Sequence, residues 1–448
     1  MSVKVGMVSL GCPKNQVDAE IMLKRLSDAG FEITGNEGEA DVVIVNTCGF
    51  IEDAKKEAID NILELAELKK NGTLKGLIVT GCLAERYQLE VLNEMPEIDA
   101  VIGIGSNDEI VNIVNRVIGN ENNIAMFPDK KLLDMDSDRI LASPRYTAYL
   151  RIADGCDNCC TYCTIPFIRG RFRSRTVESV IDEAKRLAAR GVKELVVIAQ
   201  DTTRYGEDNY GRLMLPELLC KLCDIDGIEW IRILYAYPDR ITDELLDVMA
   251  SHSKILHYID IPLQHCNGDI LHAMNRTGDR QSLTALIAKI REKMPDVVLR
   301  TTLITGFPGE TEEQFTELAE FVNDIGFDRL GCFAYSAEEG TIAAQMEDQI
   351  EQSVKERRAE VIMNDQLRVT AAKNEQRIGE TMKVLVEGYD SYIKCCYGRS
   401  YADAPDIDAK VFFTPSSERP TEGDLVDVEI FDTIEYDLLG QQTGSEDL

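Results

Sequence analysis

The chain has 448 residues, of which 44% are hydrophobic and 28% charged, so it can build a sizeable core and is not expected to be disordered. No run of about 18 apolar residues occurs, which excludes a transmembrane helix, and the first residues enter a strand pattern without the layout of a signal peptide. Acidic residues outnumber basic ones by 79 to 48, which gives a net charge of −31. These features predict a cytoplasmic protein. In that reducing compartment the 13 cysteines point to metal or catalytic sites.

The first 125 residues alternate predicted strands and helices. Strands are expected at residues 4–10, 40–47, 76–80 and 100–104, with helices at 17–29, 51–70 and 86–94 between them. This alternation predicts a doubly wound α/β domain with a parallel sheet over residues 1–125. Residues 126–143, which contain the run DKKLLDMDSDR, lose the rhythm and are predicted to be a charged linker.

Residues 144–375 form a second series of the same kind. Strands are predicted at residues 148–152, 194–199, 230–234, 257–261, 297–304 and 329–333, with helices such as 176–190 and 311–325 between them. Six such strands predict a partial (β/α)6 barrel with its chemistry at the carboxyl ends of the strands. A trailing helix at 345–376 leads to residues 376–445, where short strands and Gly, Pro and Asp turns predict a small all-β barrel.

Three cysteines follow three successive predicted strands of the first domain. Cys12 ends VSLGC, Cys48 ends IVNTC and Cys82 ends IVTGC. Carboxyl ends of parallel strands share one sheet edge, where open α/β sheets bind ligands, so these thiols are expected to converge. Each has a neighbouring glycine that would let the backbone approach a bulky inorganic group: Gly11, Gly49 and Gly81. The alternative is three separately buried cysteines.

A second cysteine set, Cys156, Cys160 and Cys163, has C-x3-C-x2-C spacing directly after the first barrel strand. Three thiolates this close can bind three irons of a 4Fe–4S cluster and leave the fourth iron open, which is typical of a catalytic metal site. Zinc would normally require a fourth protein ligand nearby. Cys159 also permits a C-x2-C-x3-C choice, and spacing alone leaves that choice open.

The C-x3-C-x2-C spacing followed by TIP resembles the hallmark of radical S-adenosylmethionine enzymes, and this resemblance selects Cys160 over Cys159 as the middle ligand. Further motifs are similar to those of the methylthiotransferases, which combine a three-cysteine amino-terminal domain, a radical barrel and a small carboxyl-terminal TRAM barrel. These motifs are SLGCPKN, NTCGFI, TGCLAERY, IAQDTTRYG, PLQHCNGDILHAMNR and ITGFPGETEEQF. The chain is identified as a member of that family along nearly its whole length.

The resemblance implies two 4Fe–4S clusters and S-adenosylmethionine as cofactors. One cluster, expected to carry the transferred sulfur, would be held by Cys12, Cys48 and Cys82. The other, which chelates S-adenosylmethionine, would be held by Cys156, Cys160 and Cys163. In the family, one S-adenosylmethionine methylates the sulfur and another generates a radical that removes hydrogen from an unactivated C–H, so no catalytic side chain is expected beyond the clusters. The residues implied to shape the S-adenosylmethionine pocket are Gly306 and Gly309, with Gln200 and Asp201 as further candidates.

The family divides by substrate. One branch modifies an adenosine beside the tRNA anticodon, and another modifies the β-carbon of an aspartate on protein twelve of the small ribosomal subunit. Residues 382–448 contain five basic and fifteen acidic residues, a net charge of −10 that would repel phosphates and attract a basic ribosomal protein. The segment GRSYADAPDIDAKVFF also resembles the ribosomal-protein branch. We therefore predict an aspartate methylthiotransferase for that protein, with a nucleic acid not expected as the direct substrate.

Two alternatives differ in kind from this prediction. A tRNA methylthiotransferase would have the same architecture, whereas an iron–sulfur electron carrier or oxygen sensor would perform no substrate chemistry. An electron donor is expected as a partner, and no membrane is. The sequence assigns no role to Cys159 or to the basic run Arg169, Arg171, Arg173 and Arg175.

Overall fold

Three large sheets follow one another along the chain in the computed structural model, which describes residues 2–416 and 418–443. The first two are parallel and flanked by helices, and the third closes into a β-barrel. The predicted fold class, α/β with a small all-β barrel at the carboxyl end, is confirmed. The last residues of the predicted β-barrel, 444 and 445, and the acidic Glu446 and Asp447 lie outside the described residues.

The amino-terminal sheet has six parallel strands in the order β2-β1-β3-β4-β5-β6. The strands are β1 (Lys4–Ser9), β2 (Glu32–Thr34), β3 (Val42–Thr47), β4 (Gly76–Gly81), β5 (Ala100–Ile102) and β6 (Ile124–Met126). The helices are α1 (Pro13–Asp28), α2 (Glu52–Lys70), α3 (Cys82–Tyr87), α4 (Leu89–Glu94) and α5 (Ile110–Ile118), with 3₁₀ turns at Glu37–Glu39 and Ile104–Glu109. Apolar side chains fill both faces of this sheet, as a doubly wound fold requires.

Three details of this domain differ from the sequence prediction. Helix α1 begins at Pro13, earlier than its apolar periodicity, because proline fits the first helical position. The single helix predicted at 86–94 is two helices, separated at Gln88, which has a φ of 47°. The short edge strands β2 and β6 were missed, since three residues are too few to show a period.

The central domain has an open sheet of six parallel strands in the order β14-β13-β12-β11-β10-β7. These strands are β7 (Thr147–Arg151), β10 (Glu194–Ile198), β11 (Trp230–Ile233), β12 (Ile255–Asp260), β13 (Val298–Thr305) and β14 (Arg329–Ala334). A small antiparallel pair, β8 (Ala153–Asp154) and β9 (Arg173–Ser174), frames the loop of the second cysteine set. The predicted six-strand partial barrel is therefore confirmed.

The helices and 3₁₀ turns of the linker and the central domain follow in chain order. They are α6 (Ile165–Arg169), α7 (Val177–Ala189), α8 (Glu207–Tyr210), α9 (Leu215–Cys223), α10 (Asp243–Ser251), α11 (Gly268–Ala273), α12 (Arg280–Lys293), α13 (Glu312–Ile325) and α14 (Gln352–Gln376), with 3₁₀ turns at Lys130–Leu132, Thr202–Arg204, Pro238–Arg240 and Ala343–Gln345. Helix α6 packs against α3 of the first domain. The trailing helix α14 begins later than predicted. Over the described ranges, no helix has both the length and the apolar composition needed to cross a bilayer.

The carboxyl-terminal domain is a closed barrel of five strands in the order β15-β16-β17-β19-β18. The strands are β15 (Thr381–Asp390), β16 (Cys395–Ser400), β17 (Val411–Thr414), β18 (Leu425–Ile434) and β19 (Asp437–Gln442). Its interior is filled by alternate residues such as Val384, Phe413 and Val428, because side chains on a strand alternate between the two faces.

Buried charges dock this barrel onto the central domain. Glu194, at the start of β10, lies between Arg399 of the carboxyl-terminal barrel (2.6 Å) and Arg232 of β11 (2.9 Å). Burial opposes the ionisation of Glu194, but the two guanidinium groups outweigh it and lower the pKa of Glu194 to about 2. The interface thus depends on an ionised carboxylate.

Part of the acidic stretch at 403–408 belongs to the same interface. Asp403 forms an ion pair with Arg329 at 2.7 Å, and the Tyr258 hydroxyl donates to the carboxylate of Asp408 at 2.6 Å. The side chains of Asp403 and Asp408 are 2% and 3% exposed, so they add nothing to the surface charge. The net charge of −10 counted from the sequence therefore overstates the acidity that this domain presents to a partner.

Candidate functional site

The three cysteines of the first domain lie in loops at one edge of the amino-terminal sheet. Cys12 follows β1 and caps α1, Cys48 follows β3, and Cys82 is the first residue of α3 after β4. Strands β1, β3 and β4 are direct neighbours in the sheet. The structure thus brings the three loops side by side, although they are far apart in sequence.

Three glycines set the spacing of these loops, and a Cβ on one of them, Gly49, would fall 2.7 Å from the Leu83 Cα. A Cβ on Gly11 would fall 2.8 Å from the Cys48 Cβ, and a Cβ on Gly81 would fall 2.5 Å from the Thr47 carbonyl oxygen. Gly11 and Gly81 also have positive φ angles, 95° and 92°, that other residues rarely adopt. A larger residue at either position would displace the segment that carries Cys48.

The second cysteine set lies in the loop between β8 and α6. The Cys156 sulfur is 3.5 Å from the backbone N–H nitrogen of Asn158, and the Cys163 sulfur is 3.4 Å from that of Ile165. Backbone N–H groups aimed at sulfur stabilise negative charge on a thiolate ligand. The neighbouring Cys159 is exposed and has a φ of 51°.

Burial disfavours the thiolate form of these cysteines. It raises the pKa of Cys82 and of Cys156 to about 12, and it raises the pKa of Cys48 and of Cys163 as well. Binding of iron would replace the thiol protons. Among residues 2–416 and 418–443, no three His, Cys, Asp or Glu side chains converge closely enough to hold one metal ion. A 4Fe–4S cluster offers each cysteine a separate iron and accepts wider spacing, so two sets of three cysteines fit clusters.

Arg169 joins the two cysteine sets. It ends α6, directly after the loop of the second set, and its Nη2 lies 2.7 Å from Asn15 Oδ1 and 3.8 Å from Cys82 Sγ in the first domain. Its Nη1 pairs with Asp18 at 2.8 Å and with Asp154 at 2.9 Å. Because all these charges are buried, their pairing fixes how the first domain sits on the central one.

The other arginines of the basic run differ in environment. Arg175 is buried and pairs with Glu183 of α7 and with Asp136 of the predicted linker. Arg173 is partly buried and donates to backbone carbonyls, including that of Arg171 at 2.9 Å. The side chain of Arg171 is 86% exposed. The run is therefore mainly structural, and it anchors the linker to the central domain.

Lys14 and Tyr235 meet between the first domain and the central sheet. Lys14 lies two residues after Cys12 in the first turn of α1 and is only 6% exposed. Its Nζ lies 3.1 Å from the centroid of the Tyr235 ring, which follows β11. Burial lowers the pKa of Lys14 to about 8, although the thiol of Cys12 acts in the opposite direction.

A second tyrosine of the same segment, Tyr237, lies near the other cysteine set. The Arg276 guanidinium is 4.3 Å from the Tyr237 ring centroid, and its Nη1 is 3.7 Å from Cys160 Sγ. Burial raises the pKa of both tyrosines, and the neighbouring Cys12 adds to the effect on Tyr235. The segment after β11 thus presents one aromatic ring toward each cysteine set.

The GFPGE segment begins where β13 ends. Gly306 has a φ of 69°, and a Cβ there would fall 2.3 Å from Lys355 Cγ, so packing against α14 requires glycine. Gly309 has a φ of 82°, and no heavy atom of the described chain lies within 4 Å of its Cβ position. The backbone N–H of Phe307 donates to Glu310 at 3.1 Å and closes the turn. Helix packing therefore explains Gly306, whereas the space beside Gly309 is open.

Gln200 and Asp201 follow β10 at the same edge of the sheet. The Asp201 carboxylate accepts a hydrogen bond from the Asn158 side chain at 2.9 Å and pairs with Arg240 at 3.2 Å. Since Asn158 belongs to the cysteine loop, Asp201 holds that loop in place. The buried Oε1 of Gln200 has no hydrogen-bond partner among the described residues. A bound group with N–H or O–H donors, such as S-adenosylmethionine, would satisfy it.

Sequence reasoning missed four residues of this site: Lys14, Tyr235, Tyr237 and Arg276. Two signals were available in the sequence. Lys14 follows Cys12 in the PKN segment, and the tyrosines follow a predicted barrel strand at the end where chemistry was expected. Arg276 ends the motif PLQHCNGDILHAMNR, but its contact with Cys160 joins residues 116 positions apart, so the motif by itself does not show it.

Sequence profiles of known families match all three parts of the chain. "Uncharacterized protein family UPF0004" matches residues 4–103, "Radical SAM superfamily" matches residues 150–322, and "TRAM domain" matches residues 378–442. The order of these matches is that of the three sheets. The TRAM assignment coincides with the closed five-strand barrel.

Curated relatives match over nearly the full length. Proteins named ribosomal protein uS12 methylthiotransferase RimO are 50% identical in Lachnoclostridium phytofermentans, 51% in Pelotomaculum thermopropionicum and 48% in Geobacter sulfurreducens. Each alignment covers 98% of this chain and 98% or 99% of the relative.

Solved structures share the fold at low sequence identity. The radical S-adenosylmethionine methyltransferase TsrM from Kitasatospora setae, solved with cobalamin and a [4Fe-4S] cluster, has a TM-score of 0.55 and 16% identity over 75% of both chains. The cobalamin-dependent S-adenosylmethionine radical enzyme OxsB has a TM-score of 0.52 and 13% identity over 81% of this chain and 56% of that chain.

The open six-strand parallel sheet, the cysteine loop at its carboxyl edge and the superfamily match define a radical S-adenosylmethionine enzyme. Such an enzyme uses a 4Fe–4S cluster and S-adenosylmethionine as cofactors. The chain belongs to the RimO family of methylthiotransferases, as its identity to curated members over nearly the whole length requires. It is a transferase of methylthio groups, which confirms the family predicted from the motifs.

Proposed function

We propose that this enzyme attaches a methylthio group to the β-carbon of an aspartate in ribosomal protein uS12, protein twelve of the small subunit. The observation that carries the proposal is the 50% identity to proteins of that name over 98% of this chain, which includes both cysteine sets and the carboxyl-terminal barrel. A ribosomal substrate would place the enzyme in the cytoplasm, and the reaction would need an electron donor.

The proposal assigns a 4Fe–4S cluster to each cysteine set. One is held by Cys12, Cys48 and Cys82, and the other by Cys156, Cys160 and Cys163. Cys160 is preferred to Cys159 as the middle ligand, because Arg276 lies 3.7 Å from the Cys160 sulfur whereas Cys159 is exposed. When bound, the clusters and S-adenosylmethionine supply the sulfur, the methyl group and the radical that the transfer requires.

S-adenosylmethionine is assigned to the carboxyl edge of the central sheet. The residues proposed to contact or shape its site are Gly306, Gly309, Gln200 and Asp201. The open space at Gly309 and the unpartnered Oε1 of Gln200 support direct contact. Gly306 and Asp201 shape the site indirectly. Gly306 packs against α14, and Asp201 holds the cysteine loop through Asn158.

Residues of the chain keep the first domain and the central domain, which carry the two sets, in a fixed relation. The buried guanidinium of Arg169 pairs with carboxylates of both domains and contacts Cys82. Tyr235 and Tyr237 follow β11, and the side chains of Lys14 and Arg276 lie over their rings. Positioning of this kind would help to guide a reactive intermediate to its substrate.

Surface charge supports a protein substrate over RNA, but less strongly than the composition predicted. The described part of the carboxyl-terminal barrel exposes more acidic than basic residues. The exposed acidic residues are Asp406, Glu418, Glu422, Asp427, Glu429, Asp432 and Glu435, and the exposed basic ones are Lys383, Lys394, Lys410 and Arg419. A surface of this sign is unfavourable for phosphate and favourable for a basic protein.

The division of the chain into functional domains stays a prediction. Residues 1–125 would carry the first cluster, 126–143 would link the domains, 144–375 would form the radical barrel with its trailing helix, and 376–445 would recognise the substrate.

A competition between the two substrate classes tests the proposal. The enzyme is reconstituted anaerobically with iron and sulfide, supplied with reductant and S-adenosylmethionine, and offered uS12 and an anticodon stem-loop RNA at equal concentration. Mass spectrometry then weighs both substrates. We expect the methylthio mass gain on uS12, none on the RNA, and none on uS12 whose target aspartate is replaced by asparagine.

Two results would contradict the proposal. A mass gain on the RNA alone would identify a tRNA methylthiotransferase. A reduced enzyme that fails to cleave S-adenosylmethionine to 5′-deoxyadenosine would instead fit an electron carrier or sensor. The variant Cys160→Ala, which removes a ligand of the radical cluster, is the negative control for both readouts.

A further inference from the structure

Lys14 carries a buried positive charge that the chain does not neutralise at close range. The residue is only 6% exposed. Within residues 2–416 and 418–443, its ammonium has neither a hydrogen-bond acceptor nor a carboxylate at ion-pair distance, and its nearest defined partner is the face of the Tyr235 ring at 3.1 Å. Cys12 and, more weakly, the carboxylates of Asp260 and Asp154 favour its charged form, but none of them pairs with it directly. A largely buried ammonium without an ion-pair partner is costly, so an anion bound beside Lys14 would be favoured.

Backbone hydrogen bonds hold Tyr235 in place beside Lys14. Tyr235 has a φ of 62°, which is unfavourable for a residue with a large side chain. Its backbone N–H donates to Asp260 Oδ2 at 3.0 Å, and its carbonyl accepts from the backbone N–H of Thr202 at 3.1 Å. Strained backbone persists where surrounding bonds fix it, often at functional sites. Here the strain presents a ring to the Lys14 ammonium.

The first cysteine set has a cation of its own besides Lys14. Arg169 already lies 3.8 Å from Cys82 Sγ and is itself paired with carboxylates of both domains. Lys14 instead extends from the first domain onto a residue of the central sheet. Its Nζ therefore lies where the first domain meets the central sheet, close to the cysteine set that is proposed to carry the transferred sulfur.

We propose that the Lys14 ammonium, supported by the Tyr235 ring, binds the side-chain carboxylate of the substrate aspartate. This inference rests on the proposed function, since it requires an aspartate as the substrate side chain. The carboxylate is bonded directly to the β-carbon, so an ion pair with Lys14 would fix that carbon at the junction of the first domain and the central sheet. The same ion pair explains how the site distinguishes aspartate from asparagine, which offers no negative charge.

Binding affinity tests this role without depending on turnover. Calorimetry of the anaerobic, cluster-reconstituted enzyme compares uS12 with a uS12 variant whose target aspartate is asparagine. The wild-type enzyme is expected to prefer the aspartate form by about ten- to hundredfold, as for one charge-assisted hydrogen bond. Lys14→Met should bind wild-type uS12 more weakly by a similar factor and lose the preference. Lys14→Arg should retain part of it, and Arg171→Met, a change at an exposed cation, should retain all of it.

Several results would overturn the inference. A Lys14→Met enzyme that prefers the aspartate form of uS12 as strongly as the wild type does would show that the carboxylate binds elsewhere. A Lys14→Met protein with less bound iron than the wild type would show that Lys14 serves the first cluster. Both outcomes differ from failure of the proposed function, in which the wild-type enzyme would neither bind nor modify uS12.

Discussion

The two cysteine sets are built in opposite ways. Cys156, Cys160 and Cys163 lie within one loop of eight residues, whereas Cys12, Cys48 and Cys82 come from three loops spread over 71 residues. In the first arrangement, local backbone geometry brings the ligands together. In the second, they meet only because β1, β3 and β4 are neighbours in a folded sheet. A short chelating loop is therefore tolerant of changes in the fold around it, whereas a dispersed site depends on the whole domain.

The largest expected effect is the loss of a ligand from the short loop. Cys160→Ala should abolish cleavage of S-adenosylmethionine, because an iron of the radical cluster would lose its protein ligand, whereas Cys159→Ala should leave cleavage near the wild-type rate. Chromatographic assay of 5′-deoxyadenosine measures both variants. The reverse pattern would mean that the loop uses C-x2-C-x3-C spacing, which would refute the ligand assignment.

The next effect tests how far the dispersed site depends on its sheet. Gly81→Ala would place a Cβ 2.5 Å from the Thr47 carbonyl oxygen at a φ of 92°, and should displace the loops of Cys48 and Cys82. We expect reconstituted iron to fall to about half, with cleavage of S-adenosylmethionine retained. Gly30→Ala is the matched control, since Gly30 has a φ of 90° but no neighbour within 4 Å among the described residues. Full iron content in Gly81→Ala would contradict the expectation that the first cysteine set depends on the packing of its sheet.

A third change tests whether Arg169 links the two domains that carry the cysteine sets. Arg169→Met should lower the free energy of unfolding by roughly 3–5 kcal/mol, because it leaves the buried carboxylates of Asp18 and Asp154 without this partner. Arg171→Met, in the same basic run but with an 86% exposed side chain, should change it by less than about 0.5 kcal/mol. Chemical denaturation followed by circular dichroism measures both, and equal losses would remove the bridging role of Arg169.

The smallest expected effect concerns Glu194, which lies outside both cysteine sets. It serves as a reference for the changes made within them. The pKa of Glu194 is lowered to about 2 in the folded protein, so its contribution to stability is complete above about pH 4.5 and is lost as the pH falls toward 2. The loss amounts to roughly 3 kcal/mol at most. Glu194→Gln should flatten this part of the pH profile of unfolding without reducing bound iron at neutral pH. An unchanged profile would show that Glu194 is not ionised at the interface.

The sequence predicted the architecture well where its signals were long and regular. The six strands of the central domain each appear within a few residues of their predicted positions, because buried parallel strands read as continuous apolar runs. The short edge strands at Glu32–Thr34 and Ile124–Met126 escaped detection because three residues show no period. The break at Gln88 also escaped, since its φ of 47° depends on how α3 and α4 pack.

On its own, the sequence determined the features that depend on the spacing and type of residues. The C-x3-C-x2-C loop, the repeated strand–glycine–cysteine pattern and the family motifs are local, so the order of residues along the chain is enough to reveal them. The tertiary structure alone decided which charges matter, because ion pairs such as those of Arg169 and Glu194 join residues far apart in sequence. It also turned Asp403 and Asp408 from apparent surface acids into interface groups, and it placed Lys14 on Tyr235. Composition counts charges, but only burial decides which of them a partner can meet.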